Sequence, residues 1–82
     1  MEKELYFETV DEKKAIEKVL DGLYAEYREL IWTEKKEALD FNLTATKHYR
    51  GRLDAINAEL EKARESYTKE ELREMSREYR NR

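Results

Sequence analysis

The sequence predicts an all-α protein, an antiparallel helical hairpin of coiled-coil type with a short third helix. Three observations carry that expectation. The chain has 82 residues, no proline and only two glycines, Gly22 and Gly51. Charged residues make up 45% of it, where an average domain has about a quarter. Glu, Lys, Arg, Leu and Ala lose little rotamer freedom in a helix. Apolar residues recur in alternating steps of four and three along two stretches, which is a heptad seam. No stretch alternates apolar and polar long enough to make a strand.

A chain of this length makes one small domain. So high a charge content raises the alternative of disorder. Nine aromatic residues and the sustained apolar period argue for order.

Residues 1–8 contain Leu5, Tyr6 and Phe7 side by side, which suits no single helix face and suggests a docking arm. Thr9 stands three residues before Glu12 in capping-box spacing and is expected to open helix 1. Asp11 and Glu12 then complement the positive end of the helix dipole. Ile16, Leu20, Leu23, Tyr27 and Leu30 form the seam of that helix, expected over about residues 10–39. Asp21-Gly22 could also be a turn, but the seam passes through it without a phase slip.

The reversal is expected in the segment from Asp40 to Thr44, where Asp40, Asn42 and Thr44 are each competent caps. With Asp40 as cap, Phe41 joins Ala45, Tyr49, Leu53, Ile56, Leu60, Ala63 and Tyr67 in the seam of helix 2, over about residues 41–66. Two seams joined by a short link make antiparallel neighbours the default. Thr68 and Glu71 have capping-box spacing again. They predict a separate helix 3 over about residues 69–80 carrying Leu72, Met75 and Tyr79, the alternative being that helix 2 simply continues.

A two-helix hairpin cannot bury all of the large apolar side chains. A second stripe on helix 1, beside the seam, shows the excess. Tyr24, Ile31 and Ala38 recur every seven residues, and Ala25, Trp32 and Leu39 recur next to them. That arc is wider than one partner helix covers. Helix 3 or the arm, a second copy, or a different protein would each suit it. Tyr24, Ile31, Trp32 and Leu39 are therefore the candidate protein interface, with Trp32 foremost because tryptophan is enriched at binding hot spots. A homo-oligomer with a further protein partner is the expected assembly.

Catalytic chemistry finds little support, and the protein is expected not to be an enzyme. There is no cysteine, so neither a thiol nucleophile nor a cysteine zinc site exists. No glycine-rich phosphate loop is present. Ser66 and Ser76 are remote in sequence from His48, the sole histidine, and no Glu-x-x-His pair occurs. His48 reads as a surface residue. No cofactor is expected. The abundant carboxylates mostly have Lys or Arg at helical spacing, as on an ordinary solvated face.

Net charge is −3. Residues 1–41 carry 7 basic and 12 acidic groups, giving −5, and residues 42–82 carry 10 and 8, giving +2. Neither value marks the chain as a nucleic-acid binder. Two basic groups still merit attention as anion or nucleotide sites. Lys47, His48, Arg50 and Arg52 surround Tyr49 near the start of helix 2, and an aromatic beside arginines can stack a base. Arg73, Arg77 and Arg80 share one face of helix 3. Solvated faces with intramolecular ion pairs are the simpler account of both groups. No apolar run approaches the about 18 residues of a membrane span, and no N-terminal signal is visible. A soluble, cytoplasmic protein without membrane contact is the expectation.

The run Tyr49-Arg50-Gly51-Arg52-Leu53-Asp54-Ala55-Ile56-Asn57-Ala58-Glu59-Leu60 resembles the second helix of small helical-hairpin accessory proteins of tailed phages. It marks packing positions, so no functional residue carries over. The resemblance implies a non-catalytic protein that acts by binding in the host cytoplasm, as an inhibitor or sequestering protein of a host or defence component. A nucleotide or nucleic-acid binder with an Arg/Tyr site at an oligomer interface is the alternative.

Overall fold

A computed structural model describes residues 1–82. The protein is all-helical: α1 spans Lys3–Leu30, α2 Lys36–Glu65 and α3 Lys69–Arg80. It is an elongated body of 53 × 23 × 16 Å.

Helix α1 begins at Lys3, so residues 1–8 are not an arm. Successive helical residues point about 100° apart, and two of the three adjacent apolar side chains use this to serve two neighbours. Tyr6 faces α2, where Arg64 Nε donates to its hydroxyl at 3.1 Å and the Tyr67 ring lies edge-on. Phe7 faces α3, its ring 5.7 Å from that of Tyr79. Leu5 stays half exposed. Thr9 consequently sits inside the helix and caps nothing. Its buried hydroxyl donates to the Leu5 carbonyl at 2.7 Å.

Helix α1 ends at Leu30, well before residues 38–40. Thr33 closes it. Its backbone amide and its hydroxyl both donate to the Leu30 carbonyl, at 3.0 and 2.9 Å. Such bonds satisfy acceptors that a terminal turn leaves free. The chain reverses through residues 31–35, and Lys35 precedes α2 without a side-chain cap. Asp40, Asn42 and Thr44 therefore all lie within α2 rather than at a reversal.

Helices α1 and α2 pack along their length. Arg64 meets Tyr6, Arg52 meets Glu12, and Asn42 meets Leu23, so the partners rise on one helix as they fall on the other. The seam of α2 is Asn42, Tyr49, Ile56 and Ala63, a strict step of seven, with Leu53 and Leu60 between. Phe41 is not part of it and is 75% exposed. Asn42 is 0% exposed instead. Its amide donates to the Leu23 carbonyl at 2.9 Å and to Glu26 Oε1 at 3.1 Å, while its own Oδ1 has no partner. A buried polar residue in a heptad seam fixes register at a cost in stability.

Thr68 caps α3 with a complete capping box. The Glu71 amide donates to its hydroxyl at 3.1 Å, and its own amide donates to Glu71 Oε1 at 3.0 Å. Glu70 and Glu71 occupy the first turn and Arg77 and Arg80 the last, both in accord with the dipole. Helix α3 turns back over the end of the α1–α2 pair where the chain termini lie. Met75 joins the core with Tyr6, Phe7, Ile16, Leu20, Ile56, Leu60 and Ala63. The Tyr79 hydroxyl donates to Asp11 at 2.6 Å, and the Lys14 ammonium sits 4.4 Å above the Tyr79 ring. Lys3 pairs with Glu78 at 2.8 Å; that hydrogen bond, followed by the Glu78 charge, holds the lysine above its ordinary pKa. One end of the molecule is thereby closed by three helices. The other, around residues 24–43, has two.

Candidate functional site: an open apolar end

The residues expected to form an interface collect at the two-helix end, though not as a stripe on one helix. Because α1 stops at Leu30, only Tyr24 lies on it. Ile31 and Trp32 belong to the reversal and Leu39 to the first turn of α2. Trp32 is 85% exposed, Ile31 and Tyr24 are exposed, and Leu39 is half-buried. Helix α3 does not cover this group. Its contacts on α1 are with Lys3, Phe7, Asp11 and Lys14.

The structure adds residues that the sequence pattern placed elsewhere. Phe41 and Leu43 flank the buried Asn42 and project to its two sides, both exposed. Tyr27, in the seam of α1, is exposed because the helices run out of partners there. Exposed Leu or Ile side chains are ordinary when scattered. Tyr24, Tyr27, Ile31, Trp32, Phe41 and Leu43, six large apolar side chains, are all exposed toward this end of the chain, and exposed apolar surface concentrated in one region is what binding surfaces use. The periodicity placed Phe41 in the core because Asn42, a polar residue, interrupted the apolar record of the seam.

The first basic group is not assembled into a site. Tyr49 packs against the core with its ring edge against His48, 5.2 Å between centroids. Arg52 is engaged with Glu12 across the helix pair through its Nε at 3.1 Å. Lys47 and Arg50 are left exposed on the surface of α2. The second group is brought together: Arg73, Arg77 and Arg80 line one shallow depression on α3 with Leu72 and Ser76. None of the three has an acidic partner within ion-pair distance, and Arg80 Nε bonds only the Ser76 carbonyl, at 3.4 Å.

The ion pairs of the molecule, Lys3–Glu78, Arg52–Glu12 and Arg82–Asp11, all lie toward the closed end or mid-length. They are exposed, and solvent screening leaves pairs of this kind with little effect on stability. No helix is long and apolar enough to cross a membrane. No protein family, no characterised protein and no solved structure matches the chain.

Proposed function

We propose that this protein is a single-domain antiparallel helical hairpin, closed at one end by α3, that works as a non-catalytic interaction protein. On this reading the open end self-associates and captures a protein partner. The observation that supports it most is Trp32, 85% exposed and next in sequence to the exposed Ile31 at that end. Full burial of one such side chain stabilises a complex by about 1.5–3 kcal/mol. Several together offset much of the entropy lost on association. The resemblance of the Tyr49–Leu60 segment to phage accessory proteins makes an inhibitor or sequestering protein of a host component the specific form of the proposal. Its setting would then be the host cytoplasm.

Capture from lysate by the wild-type chain and by Trp32→Asp, with each bound protein identified and its affinity then measured on purified material, tests the reading. A partner held by the wild type and lost by the variant is expected. Unchanged binding by Trp32→Asp, together with an unchanged assembly, would remove the open end from the function.

A second reading rests on the three unpaired arginines of α3. Arg73, Arg77 and Arg80 around Ser76 suit an anionic group such as a nucleotide phosphate. A rise in melting temperature with nucleotide, abolished by Arg77→Ala, is the outcome this reading requires.

A further inference from the structure

We propose that the closed end carries a binding site for an oligophosphate, a ligand with two or more linked phosphate groups, built from cations of all three helices around Ser76. This rests on the second reading above and deepens it. Cations of α1 and α2 join the three arginines of α3, and the ligand gains a stated chemistry.

Ser76 and Arg80 each line two neighbouring depressions. One runs along α3, and its charged residues are Arg73, Arg77 and Arg80. The other is a cleft of about 280 Å³ between the helices, and its charged residues are Lys14 of α1, Arg64 of α2 and Arg80. No carboxylate lines either one. Five cations from three helices thus border the ground on both sides of one exposed serine.

None of the five is in an ion pair, although acids outnumber bases in the chain by 20 to 17. Arg80 Nε donates to the Ser76 carbonyl at 3.4 Å, which lays its guanidinium back toward that residue. Arg64 donates to the Tyr6 hydroxyl through Nε, leaving both terminal nitrogens free. The Lys14 ammonium rests 4.4 Å over the Tyr79 ring, a contact weaker than a charge-assisted bond to phosphate.

The acids of the region are engaged elsewhere. Glu74 and Glu78 line a cleft on the other flank of α3 with Lys3, which Arg77 borders as well. Glu71 completes the cap of α3. Asp11 accepts from Tyr79 and Arg82. Glu17, Glu61 and Glu70, three residues from Lys14, Arg64 and Arg73, come within ion-pair distance of none of them. Helix dipoles draw Arg64, Arg77 and Arg80 to the last turns of α2 and α3. They do not bring Lys14, which lies well inside α1, and they do not keep carboxylates from pairing.

One phosphate group is served by one of the two depressions. Cations on both sides of Ser76 suit successive phosphates, with Arg80 and the serine hydroxyl between them. Guanidinium groups take phosphate oxygens in pairs, and Lys14 adds a point charge. Val10, Met75 and Tyr79 wall the cleft, and apolar walls strengthen each charged contact by excluding water. Because the cations come from three helices, a bound ligand also ties α3 to α1 and α2.

Calorimetric titration of the full chain with inorganic triphosphate, in low-salt, metal-free buffer, tests the site. Saturable binding of one triphosphate per chain is expected, weakening as salt rises, with orthophosphate at least about tenfold weaker. A nucleoside triphosphate is titrated alongside. Tighter binding than the inorganic compound assigns the ligand to the nucleotides, equal binding assigns recognition to the phosphates alone, and the site stands in both cases. Lys14→Gln and Arg64→Gln should each weaken triphosphate binding by about tenfold. Lys47→Gln, the same charge change at an exposed position elsewhere on α2, should not. Urea unfolding without ligand checks that each variant folds. Arg64→Lys, which keeps the charge, should recover most of the affinity. Binding lost by Arg77→Ala but untouched by Lys14→Gln and Arg64→Gln overturns the three-helix site and leaves the α3 reading in place. An equal loss with Lys47→Gln overturns it in favour of diffuse charge, and orthophosphate as tight as triphosphate overturns the linked-phosphate ligand. No binding of any of the three compounds removes the α3 reading as well.

Discussion

The Asn42 side-chain amide of α2 donates to the Leu23 carbonyl of α1 at 2.9 Å from a fully buried position in the heptad seam. The same amide reaches Glu26 Oε1 at 3.1 Å. Both neighbours are acceptors, so only a donor fits between them. Asn42→Asp keeps the shape and replaces the donor with a carboxylate. Denaturant titration at neutral pH is expected to show a loss of roughly 3 kcal/mol or more. The folded state raises the pKa of such an aspartate. Its penalty is therefore full above that raised value and vanishes below about pH 4, the ordinary aspartate range. A variant equally unstable at both pH values would contradict this account of Asn42.

Gly22 and Gly51 lie inside α1 and α2 with no atom within 4 Å of where a Cβ would stand. Neither has a positive φ. Gly22→Ala and Gly51→Ala should each raise stability by about 1 kcal/mol through helix propensity and reduced freedom of the unfolded chain. Thermal or urea unfolding reads the gain, and the two effects should add. A loss at either site would mean that another backbone approaches there in solution.

Thr9 and Thr68 carry the same spacing to a glutamate and behave differently. Thr68 caps α3, while the Thr9 hydroxyl bonds a carbonyl within α1. Thr68→Val should lower stability by about 1 kcal/mol and speed amide exchange through α3. Thr9→Val should change stability by less than that and leave exchange at the start of α1 as it was.

Trp32 is the sole tryptophan and is 85% exposed in the folded chain. Its emission in dilute solution should resemble that of an unfolded peptide and respond fully to a neutral quencher. It should barely change on unfolding, while the helical dichroism collapses. A blue shift on addition of a partner then reports cover at the open end.

Much of the architecture was legible from residue spacing. The α1 seam through Ile16, Leu20 and Leu23 and the α2 seam through Tyr49, Ile56 and Leu60 hold the core. The break before α3 was legible because Thr68 and Glu71 complete a capping box in both directions. Thr9 failed as the same signal because Tyr6 and Phe7, upstream of it, both have neighbours to pack against. The reversal was misplaced for a related reason. Residues 31–35 contain no glycine or proline, and Thr33 ends α1 by a local bond that periodicity does not reveal. Meanwhile Asp40, Asn42 and Thr44 imitate caps from inside a helix. Of the candidate site, Ile31 and Trp32 were visible as surplus apolar residues. Phe41 and Leu43 were not, because their exposure follows from Asn42 taking the inward position between them.

The central claim is that one end of this protein is finished and the other awaits a partner. Amide hydrogen exchange resolved along the chain and repeated over a range of protein concentrations tests it most directly. Slow exchange around Phe7, Ile16, Leu60 and Met75 at every concentration is predicted, with fast exchange around Tyr24 and Leu43 in dilute protein that slows as concentration rises. Uniform protection along both long helices in dilute solution, unchanged on concentration, would contradict it.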